Sequence, residues 1–258
     1  MDLPAAPEFS IIVCSHRPAP AARIRAHYEE LFRERPHEII VIADAVSLCE
    51  GYARGLAAAR GRLVVFSHDD VEFVTPDAAA RIAAHLEAFD VIGIAGTTRL
   101  INGVWMDAGD PHLFALVIYP QADGFYSVRY VGKGPPCVGG IQALDGCFFA
   151  CRREVAQDVG FDAATFDGFH FYDLDFTFGA FLRGYRLGVC RDLALIHAST
   201  GTPDAQWQKY HDRFVAKYRG RFAEGAAGNT LTGHTRAPRS ALAQLTRPGQ
   251  LLQSLRWG

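Results

Sequence analysis

Acidic and histidine side chains follow three apolar segments in the N-terminal part of the chain. Ser15-His16-Arg17 comes after the first segment, Asp44 after the second and His68-Asp69-Asp70 after the third. Two adjacent carboxylates repel each other unless a cation, a base or water relieves them, and such oxygen atoms are ligands for divalent metals. We therefore expect Asp69 and Asp70 to belong to a functional site. A single acidic residue after a strand more often caps a helix, so Asp44 has both interpretations.

A second group of candidate residues lies in an aromatic segment further along the chain. Asp173 begins a predicted helix, where the dipole stabilises negative charge, and its alternative role is a helix cap. Asp175 faces another side of that helix, as a functional group or in a structural ion pair with Arg183 or Arg186. His197 follows a short apolar strand, and next to a carboxylate it would be a ligand for manganese or magnesium.

Phosphate-binding glycine motifs are missing from the sequence. There is no G-x-G-x-x-G after the first strand and no G-x-x-x-x-G-K-[ST] anywhere. This argues against hydride transfer and P-loop hydrolysis. A nucleotide held without such a motif needs a metal for its diphosphate, and an acidic pair at a strand end would bind that metal.

The elements that position these residues alternate between β-branched runs and Ala/Arg/Leu stretches, which is typical of a parallel α/β sheet. Strands are predicted at 9–14, 38–43, 62–67 and 91–95, and helices at 21–35, 47–60 and 77–88. Ser47 and Glu50 form a capping box, Gly61 ends that helix, and Thr75-Pro76 is expected to cap the next. Ligands gather beyond the carboxyl ends of parallel strands, so the polar strand ends are expected to meet.

The second half of the chain has a looser pattern. Glycine, proline and aromatic residues surround two predicted strands, 113–119 and 125–131, which suggests a binding region. Further strands are predicted at 145–150, 186–190 and 193–197, with a helix at 173–182. A last helix begins at Thr202-Pro203, and its aromatic residues at three- and four-residue steps are typical of core packing. These are Trp207, Tyr210, Phe214 and Tyr218. Residues 226–258 are expected to form a tail, either a flexible cover or an interaction segment.

Composition restricts the class of protein. The 258 residues are 49% hydrophobic and 21% charged, enough to bury a core, and the net charge of -2 offers no basic field for nucleic acid. No apolar run reaches the roughly 18–20 residues that a bilayer requires, and the N-terminus does not resemble a signal peptide. We expect a cytoplasmic protein without a transmembrane segment. The six cysteines include no C-x-x-C pair, so reduced, mostly buried thiols without a structural zinc site are expected.

Taken in order, these motifs resemble the GT-A fold of glycosyltransferase family 2, in particular a branch similar to a streptomycin-cluster glycosyltransferase. The similarity spans about residues 9–200. Residues 10–18 resemble the first strand and nucleotide-contacting turn, and residues 51–61 the helix that leads into the metal motif. Asp44 falls at the position of the base-binding aspartate. His68-Asp69-Asp70 occupies the D-x-D position, with His68 in place of the first acid, which leaves Asp70 as the metal ligand.

The later motifs of this family are matched as well. Tyr172-Asp173-Leu174-Asp175 resembles the E-D-x-D motif, whose second residue is the catalytic base in inverting members. The resemblance therefore assigns that role to Asp173, while Tyr172 stands where the leading acid is expected. His197 matches a histidine that completes the metal site in some relatives.

The resemblance implies a three-layer α/β/α GT-A sandwich, Rossmann-like in its N-terminal half, with a mostly parallel mixed sheet. One domain would cover residues 1–225, with a nucleotide-binding half at 1–96 and an acceptor-binding half at 97–225. The implied activity is metal-dependent, inverting transfer of a hexose-type sugar from a nucleotide-diphosphate sugar to a saccharide or other hydroxyl acceptor, with Mn²⁺ or Mg²⁺ on Asp70 and His197. The donor-binding residues would be Ser15, His16, Arg17, Asp44, Arg54, Asp69 and Asp70, and the acceptor-binding residues Trp105, Asp145 and Tyr172.

Two other functions fit parts of the same sequence. A noncatalytic nucleotide-sugar or glycan binder of the same fold would account for His68 and Tyr172 at positions where acids are expected. Metal-dependent nucleotidyl transfer uses similar acids but needs a basic residue over the triphosphate, for which Arg17 is the candidate.

Overall fold

The computed structural model describes residues 6–199, 204–247 and 249–257. The strands of the chain form two mixed sheets. The strands are β1 (Phe9–Cys14), β2 (His37–Ile42), β3 (Leu63–Ser67), β4 (Val71–Phe73), β5 (Val91–Gly93), β6 (Ala95–Thr97), β7 (Leu113–Pro120), β8 (Phe125–Val131), β9 (Cys137–Ile141), β10 (Ala143–Leu144), β11 (Phe148–Arg152), β12 (Leu187–Cys190), β13 (Leu195–His197), β14 (Thr232–Pro238) and β15 (Arg256–Trp257). The helices are α1 (Pro18–Leu31), α2 (Leu48–Ala58), α3 (Ala78–Ala88), α4 (Arg153–Val159), α5 (Tyr172–Leu182), α6 (Ala205–Lys217), α7 (Arg239–Leu245) and α8 (Gln250–Ser254).

The central sheet has the strand order β2-β1-β3-β11-β5-β12-β9. β1 is parallel to both β2 and β3, whereas β11 runs antiparallel between β3 and β5. β3 is buried along its whole length, as expected of an apolar β-branched strand covered on both faces. The parallel strands place the ends of β1, β2 and β3 at one edge of the sheet, which is where the polar strand-end residues begin.

The second sheet runs β10-β6-β7-β8-β14-β15, and the short strands β4 and β13 attach to it through β7. β13 is antiparallel to β4 and opposes His197 to Val71. Because β4 follows β3 after three residues, this pairing connects the end of the central sheet to the second sheet. The candidate metal ligands lie at that connection.

Helix ends follow the sequence in one case and depart from it in another. Ser47 caps α2, because its hydroxyl accepts a hydrogen bond from the backbone N–H of Glu50 at 3.1 Å. Thr75 does not cap α3. Its hydroxyl donates to the carbonyl of Asp192 at 3.2 Å and accepts from the N–H of Ala194 at 2.9 Å, so it ties the start of α3 to the segment that leads into β13.

The aromatic stripe of α6 packs in the core, as predicted. Tyr210 and Phe214 are buried, and Trp207 and Tyr218 pack against them from the half-buried edges. The start predicted for this helix, Thr202-Pro203, lies outside the described residues. Within the described part of the chain, no helix is long and apolar enough to cross a bilayer.

The C-terminal segment forms regular structure. β14 pairs with β8 in register from Thr232 opposite Val131 to Pro238 opposite Phe125, and Leu242 of α7 and Leu251 of α8 are buried. The expectation of a flexible cover is therefore wrong for these residues. The edge of β8 supplies the reason, because an unpaired strand edge gains a full set of backbone hydrogen bonds from β14 even though the sequence of β14 has no apolar alternation.

Candidate active site

Three side chains that can bind a metal converge where β3, β4 and β13 meet. His197 Nε2 lies 3.4 Å from Asp70 Oδ1, and His68 Nδ1 lies 3.9 Å from the same oxygen. One donor atom from each residue lies within 4.8 Å of the other two. The backbone fixes this arrangement, because the N–H of Ala198 donates to the carbonyl oxygen of Asp70 at 3.0 Å. The structure thus brings together the two ligands expected from the sequence, Asp70 and His197.

The Asp70 carboxylate is held in its ionised form. Burial opposes ionisation, but hydrogen bonds from His197 and from the N–H of Ser199, 3.1 Å from Oδ2, outweigh it. The pKa of Asp70 therefore lies well below its ordinary value. A metal ligand must be deprotonated, and this environment meets that requirement.

His68 is the third ligand of the cluster, and sequence analysis treated it only as a departure from the family motif. Its Nε2 lies 2.6 Å from the hydroxyl oxygen of Tyr172, and that hydroxyl donates its proton to the carbonyl of Gly146 at 2.8 Å. Since the tyrosine proton is already used, His68 Nε2 must be the donor to the tyrosine oxygen. The lone pair then resides on Nδ1, which faces Asp70.

The H-x-D spacing was the available signal for this third ligand, because a histidine two residues before a metal-binding aspartate lies close to it. His68 directly follows β3, and Asp69 and Asp70 form the turn that leads into β4. Burial, followed by the neighbouring His197, lowers the pKa of His68, which favours the neutral ring that binds metals.

Asp173 lies in the first turn of α5, directly after the tyrosine that contacts His68. The turn before β11 packs closely against it: a Cβ atom placed on Gly146 would lie 2.6 Å from Asp173 Cβ. Burial first, and the charge of Asp145 second, raise the pKa of Asp173 to about 7, against opposing backbone hydrogen bonds. A carboxylate that titrates near neutrality suits a general base. Asp173 thus directly follows the residue whose hydroxyl is hydrogen-bonded to His68 of the metal-binding cluster.

The expected donor-binding residues occupy the edge formed by the ends of β1 and β2. Ser15 is buried, and its hydroxyl donates to Asp69 Oδ2 at 2.5 Å, which joins the end of β1 to that of β3. His16 and Arg17 are exposed beside it. This edge is therefore open to solvent above a fixed Ser15–Asp69 contact.

Asp44 and Arg54 form an ion pair with each other. Arg54 donates to Asp44 Oδ1 at 2.5 Å and to Glu50 at 2.8 Å, and both members of the first pair are well exposed. The hydrogen bond and charge of Arg54 lower the pKa of Asp44. Asp44 follows the end of β2, and Arg54 lies within α2.

The expected acceptor residues have three different environments. Trp105 is half-buried and packs against the two larger apolar clusters. Asp145 accepts a hydrogen bond from the N–H of Cys147 at 3.0 Å, and this turn moves the start of β11 to Phe148, later than the predicted residue 145. Tyr172 is only 3% exposed with its hydroxyl engaged, so its ring does not offer a face to a sugar, contrary to expectation.

Asp175 is structural, and its partners differ from those expected. It is buried, 2.6 Å from Lys217 Nζ, and accepts a hydrogen bond from the Tyr218 hydroxyl at 2.8 Å. Arg183 and Arg186 instead face other acids, Asp158 and Asp90. The helix turns Asp175 toward α6, whereas the two arginines lie at the other end of α5 and beyond it.

The family follows from comparison with known proteins. A family model described as a glycosyltransferase-like family matches residues 10–218, and the chain belongs to this family. It is an enzyme of the glycosyltransferase class. The GT-A fold expected from the sequence is confirmed.

Three similar proteins have sequence identities to this chain of 30% or less. A protein of Fuscovulum blasticum, "ATP synthase subunits region ORF 6", is 30% identical over 186 residues, which is 69% of this chain and 68% of the relative. GalNAc-T7, solved with UDP, GalNAc and Mn²⁺, has a TM-score of 0.50 at 11% identity and covers 82% of this chain, which spans about half (48%) of that one. A mannosyltransferase from Pyrobaculum calidifontis, PcManGT, solved with GDP-Man and Mn²⁺, has a TM-score of 0.49 at 13% identity over 87% of this chain and 67% of its own.

Proposed function

We propose that this chain is a metal-dependent inverting glycosyltransferase that moves a sugar from a nucleotide-diphosphate sugar to a hydroxyl acceptor. One observation carries the proposal. The His68–Asp70–His197 cluster is hydrogen-bonded through His68 to Tyr172, and Asp173, whose pKa is about 7, is the next residue of the chain. This arrangement supports a site that has both a metal-binding group and a base of near-neutral pKa, as a displacement at an anomeric carbon requires.

The donor set fits a divalent ion such as Mn²⁺. One carboxylate oxygen and two imidazole nitrogens form a mixed set that manganese accepts, and Asp70, His197 and His68 would hold the ion. When bound, the ion supplies positive charge that neutralises a departing diphosphate. The neutral Nδ1 of His68 and the ionised Asp70 are already in the protonation states that binding needs.

Asp173 would act on the acceptor. Its carboxylate takes the proton of the acceptor hydroxyl, and the freed oxygen attacks the anomeric carbon opposite the diphosphate, which inverts the configuration. A pKa of about 7 matches the base to its task near neutral pH. Asp145, whose charge contributes to that shift, and Trp105 are the remaining candidates for acceptor contacts.

The nucleotide would bind over the ends of β1 and β2. Ser15, His16 and Arg17 line the first strand end, Asp69 is fixed by Ser15, and the exposed Asp44–Arg54 pair borders the second. Residues 1–96 would thus hold the donor and residues 97–225 the acceptor. Membership of the streptomycin-type branch stays a prediction, which donor identity would address.

The test combines donor binding with product release. Uridine, guanosine and thymidine diphosphate sugars are screened for a rise in melting temperature with Mn²⁺ and with EDTA, since a ligand of the native state stabilises it. The donor that binds is then incubated with candidate acceptors while free nucleoside diphosphate is measured. Asp173→Asn should abolish release and keep the melting shift, whereas the control Asp212→Asn, an exposed carboxylate on α6, should keep both.

Three outcomes would contradict this function. Full release by Asp173→Asn would remove the proposed base, and donor binding that is equal in Mn²⁺ and EDTA would remove the metal requirement. Donor binding without release from the wild-type chain, whatever the acceptor, would support the noncatalytic binder. Pyrophosphate release from a nucleoside triphosphate, lost in Arg17→Ala, would support nucleotidyl transfer instead.

A further inference from the structure

A second group of metal-binding side chains lies at the far edge of the central sheet, where β9 pairs with β12. Cys137 and Cys190 stand directly opposite each other in the antiparallel register, and His85 of α3 packs against them. One donor atom from each of the three lies within 4.8 Å of the other two. These residues belong to none of the strand ends that form the candidate active site.

We propose that Cys137, Cys190 and His85 bind a zinc ion. Two thiolates and an imidazole are the ligand types that structural zinc sites use, and this set is softer than the carboxylate and imidazoles of the other cluster. Zn–S and Zn–N bonds of about 2.3 and 2.0 Å place tetrahedral sulfur and nitrogen ligands about 3.5 Å apart. Cys137 Sγ lies 3.6 Å from both His85 Nδ1 and His85 Nε2, which is close to that spacing.

Asp192 orients the histidine for this role. Its Oδ1 lies 3.0 Å from His85 Nε2, and its Oδ2 accepts a hydrogen bond from Arg81 at 3.3 Å. A proton on Nε2 donated to this carboxylate leaves the lone pair on Nδ1, which lies 3.6 Å from Cys137 Sγ. Histidine ligands of zinc usually donate their second N–H to a carboxylate in this way.

The environment indicates a structural role for the ion. Cys190 is fully buried and His85 and Cys137 are half-buried, so a single water molecule on the Cys137 side can complete the tetrahedron. The ion would join α3, β9 and β12, and through Asp192 the turn that leads into β13 and His197. The cysteine spacing did not indicate this site, because each ligand comes from a different element.

The experiment measures zinc content in a full-length chain that carries Asp70→Asn, which removes a ligand of the other cluster. After expression with added zinc and dialysis against metal-free buffer, elemental analysis should find one zinc per chain. The same chain with Cys137→Ser should hold none, and with Cys151→Ser, a buried cysteine outside the cluster, it should still hold one. Asp192→Asn should weaken zinc binding by about 10–100-fold in a competition with a chromophoric chelator.

Two results would overturn the proposal. One is equal zinc content with and without Cys137→Ser; the other is a Cys137–Cys190 disulfide in peptides of the freshly purified, unreduced chain. If Cys137→Ser fails to fold, the unsubstituted chain is loaded with Co²⁺ and its absorption spectrum is measured instead. It should show thiolate-to-cobalt charge-transfer absorption in the near ultraviolet, and the absence of that absorption would also overturn the site.

Discussion

The Tyr172 hydroxyl decides which nitrogen of His68 is available for binding. It donates its own proton to the carbonyl of Gly146 and accepts a hydrogen bond from His68 Nε2. These two hydrogen bonds together set the tautomer of His68. The residue in place of the expected leading acid thus orients a ligand of the cluster through a hydrogen bond without being a ligand itself. Positioning groups of this kind hold ligand rings in the orientation that binding requires.

Replacing Tyr172 by Phe removes this hydroxyl and keeps the ring. We expect Mn²⁺ affinity to fall by about 10–100-fold, because His68 is free to turn and to change tautomer. Titration calorimetry of the EDTA-stripped chain measures this. Tyr210→Phe, on α6, is the matched control. It removes a hydroxyl that donates a hydrogen bond to Asp167 at 2.8 Å. Equal Mn²⁺ affinity in the two variants would show that the hydroxyl does not position the ligand.

Asp173 has a cost to stability that is separate from its proposed role. Its pKa rises from 3.8 to about 7 on folding, chiefly because of burial. Between these two values the folded chain holds a proton that the unfolded chain has released. Stability is therefore lost as the pH rises from about 4 to about 7, and stays lower above that range.

Asp173→Asn should remove this loss. Measured in EDTA, its melting temperature should exceed that of the wild type at pH 8, by roughly 2–4 °C for each kcal/mol, and the two should converge near pH 4. Differential scanning calorimetry at several pH values gives the profile. In Asp212→Asn, the difference from wild type should not grow with pH. If the difference in melting temperature between Asp173→Asn and the wild type were also independent of pH, folding would not raise the pKa of this carboxyl.

At the scale of elements, the turn before β11 and the first turn of α5 are in close contact. An added Cβ on Gly146 would lie 2.3 Å from the Tyr172 hydroxyl oxygen as well as close to Asp173. Because Asp173 Cβ is fixed to the backbone of α5, either the first turn of this helix or the turn that holds Gly146 must move. The glycine is what allows these two elements to hold the cluster and the base together.

Gly146→Ala should therefore weaken Mn²⁺ binding and turnover together, each by at least about 10-fold, with a loss of stability of about 1–3 kcal/mol from overpacking. Gly179→Ala, inside the same helix, is the control. Its added Cβ would meet atoms no closer than 3.4 Å, and alanine is the better helix former, so we expect unchanged binding and a gain of about 0.5–1 kcal/mol. Normal Mn²⁺ affinity in Gly146→Ala would show that the contact is not needed.

Across the whole molecule, the sequence predicted features that neighbouring residues determine and two metal ligands that their motifs identified. β1 and the Ser47 cap follow from neighbouring residues alone, whereas Asp70 and His197 meet because β4, which directly follows Asp70, pairs with β13. Burial of Tyr172, by contrast, depends on elements distant in sequence. The same is true of Thr75, whose hydroxyl serves the β13 segment, because no local pattern shows which distant backbone groups need a partner.

The C-terminal segment belongs to the folding unit as a whole. Its buried leucines, Leu242 and Leu251, complete an apolar cluster with Ile118 of β7, Val128 of β8 and Ile196 of β13. β13 also carries His197. The segment that the sequence presented as a tail thus packs under the strand that supplies a metal ligand.

Leu242→Ala tests this coupling, because a flexible cover and an integral part of the core respond differently. Removing a fully buried leucine should lower the free energy of unfolding by about 2–5 kcal/mol in urea, within one cooperative transition, since its apolar cluster includes residues of β7, β8 and β13. Leu252→Ala, at a position 46% exposed, should change it by less than about 0.5 kcal/mol. If the C-terminal segment folded independently, Leu242→Ala would leave the main transition in place or split it in two. A single shifted transition means that the chain cannot form its metal-binding strand at full stability without the residues after 225.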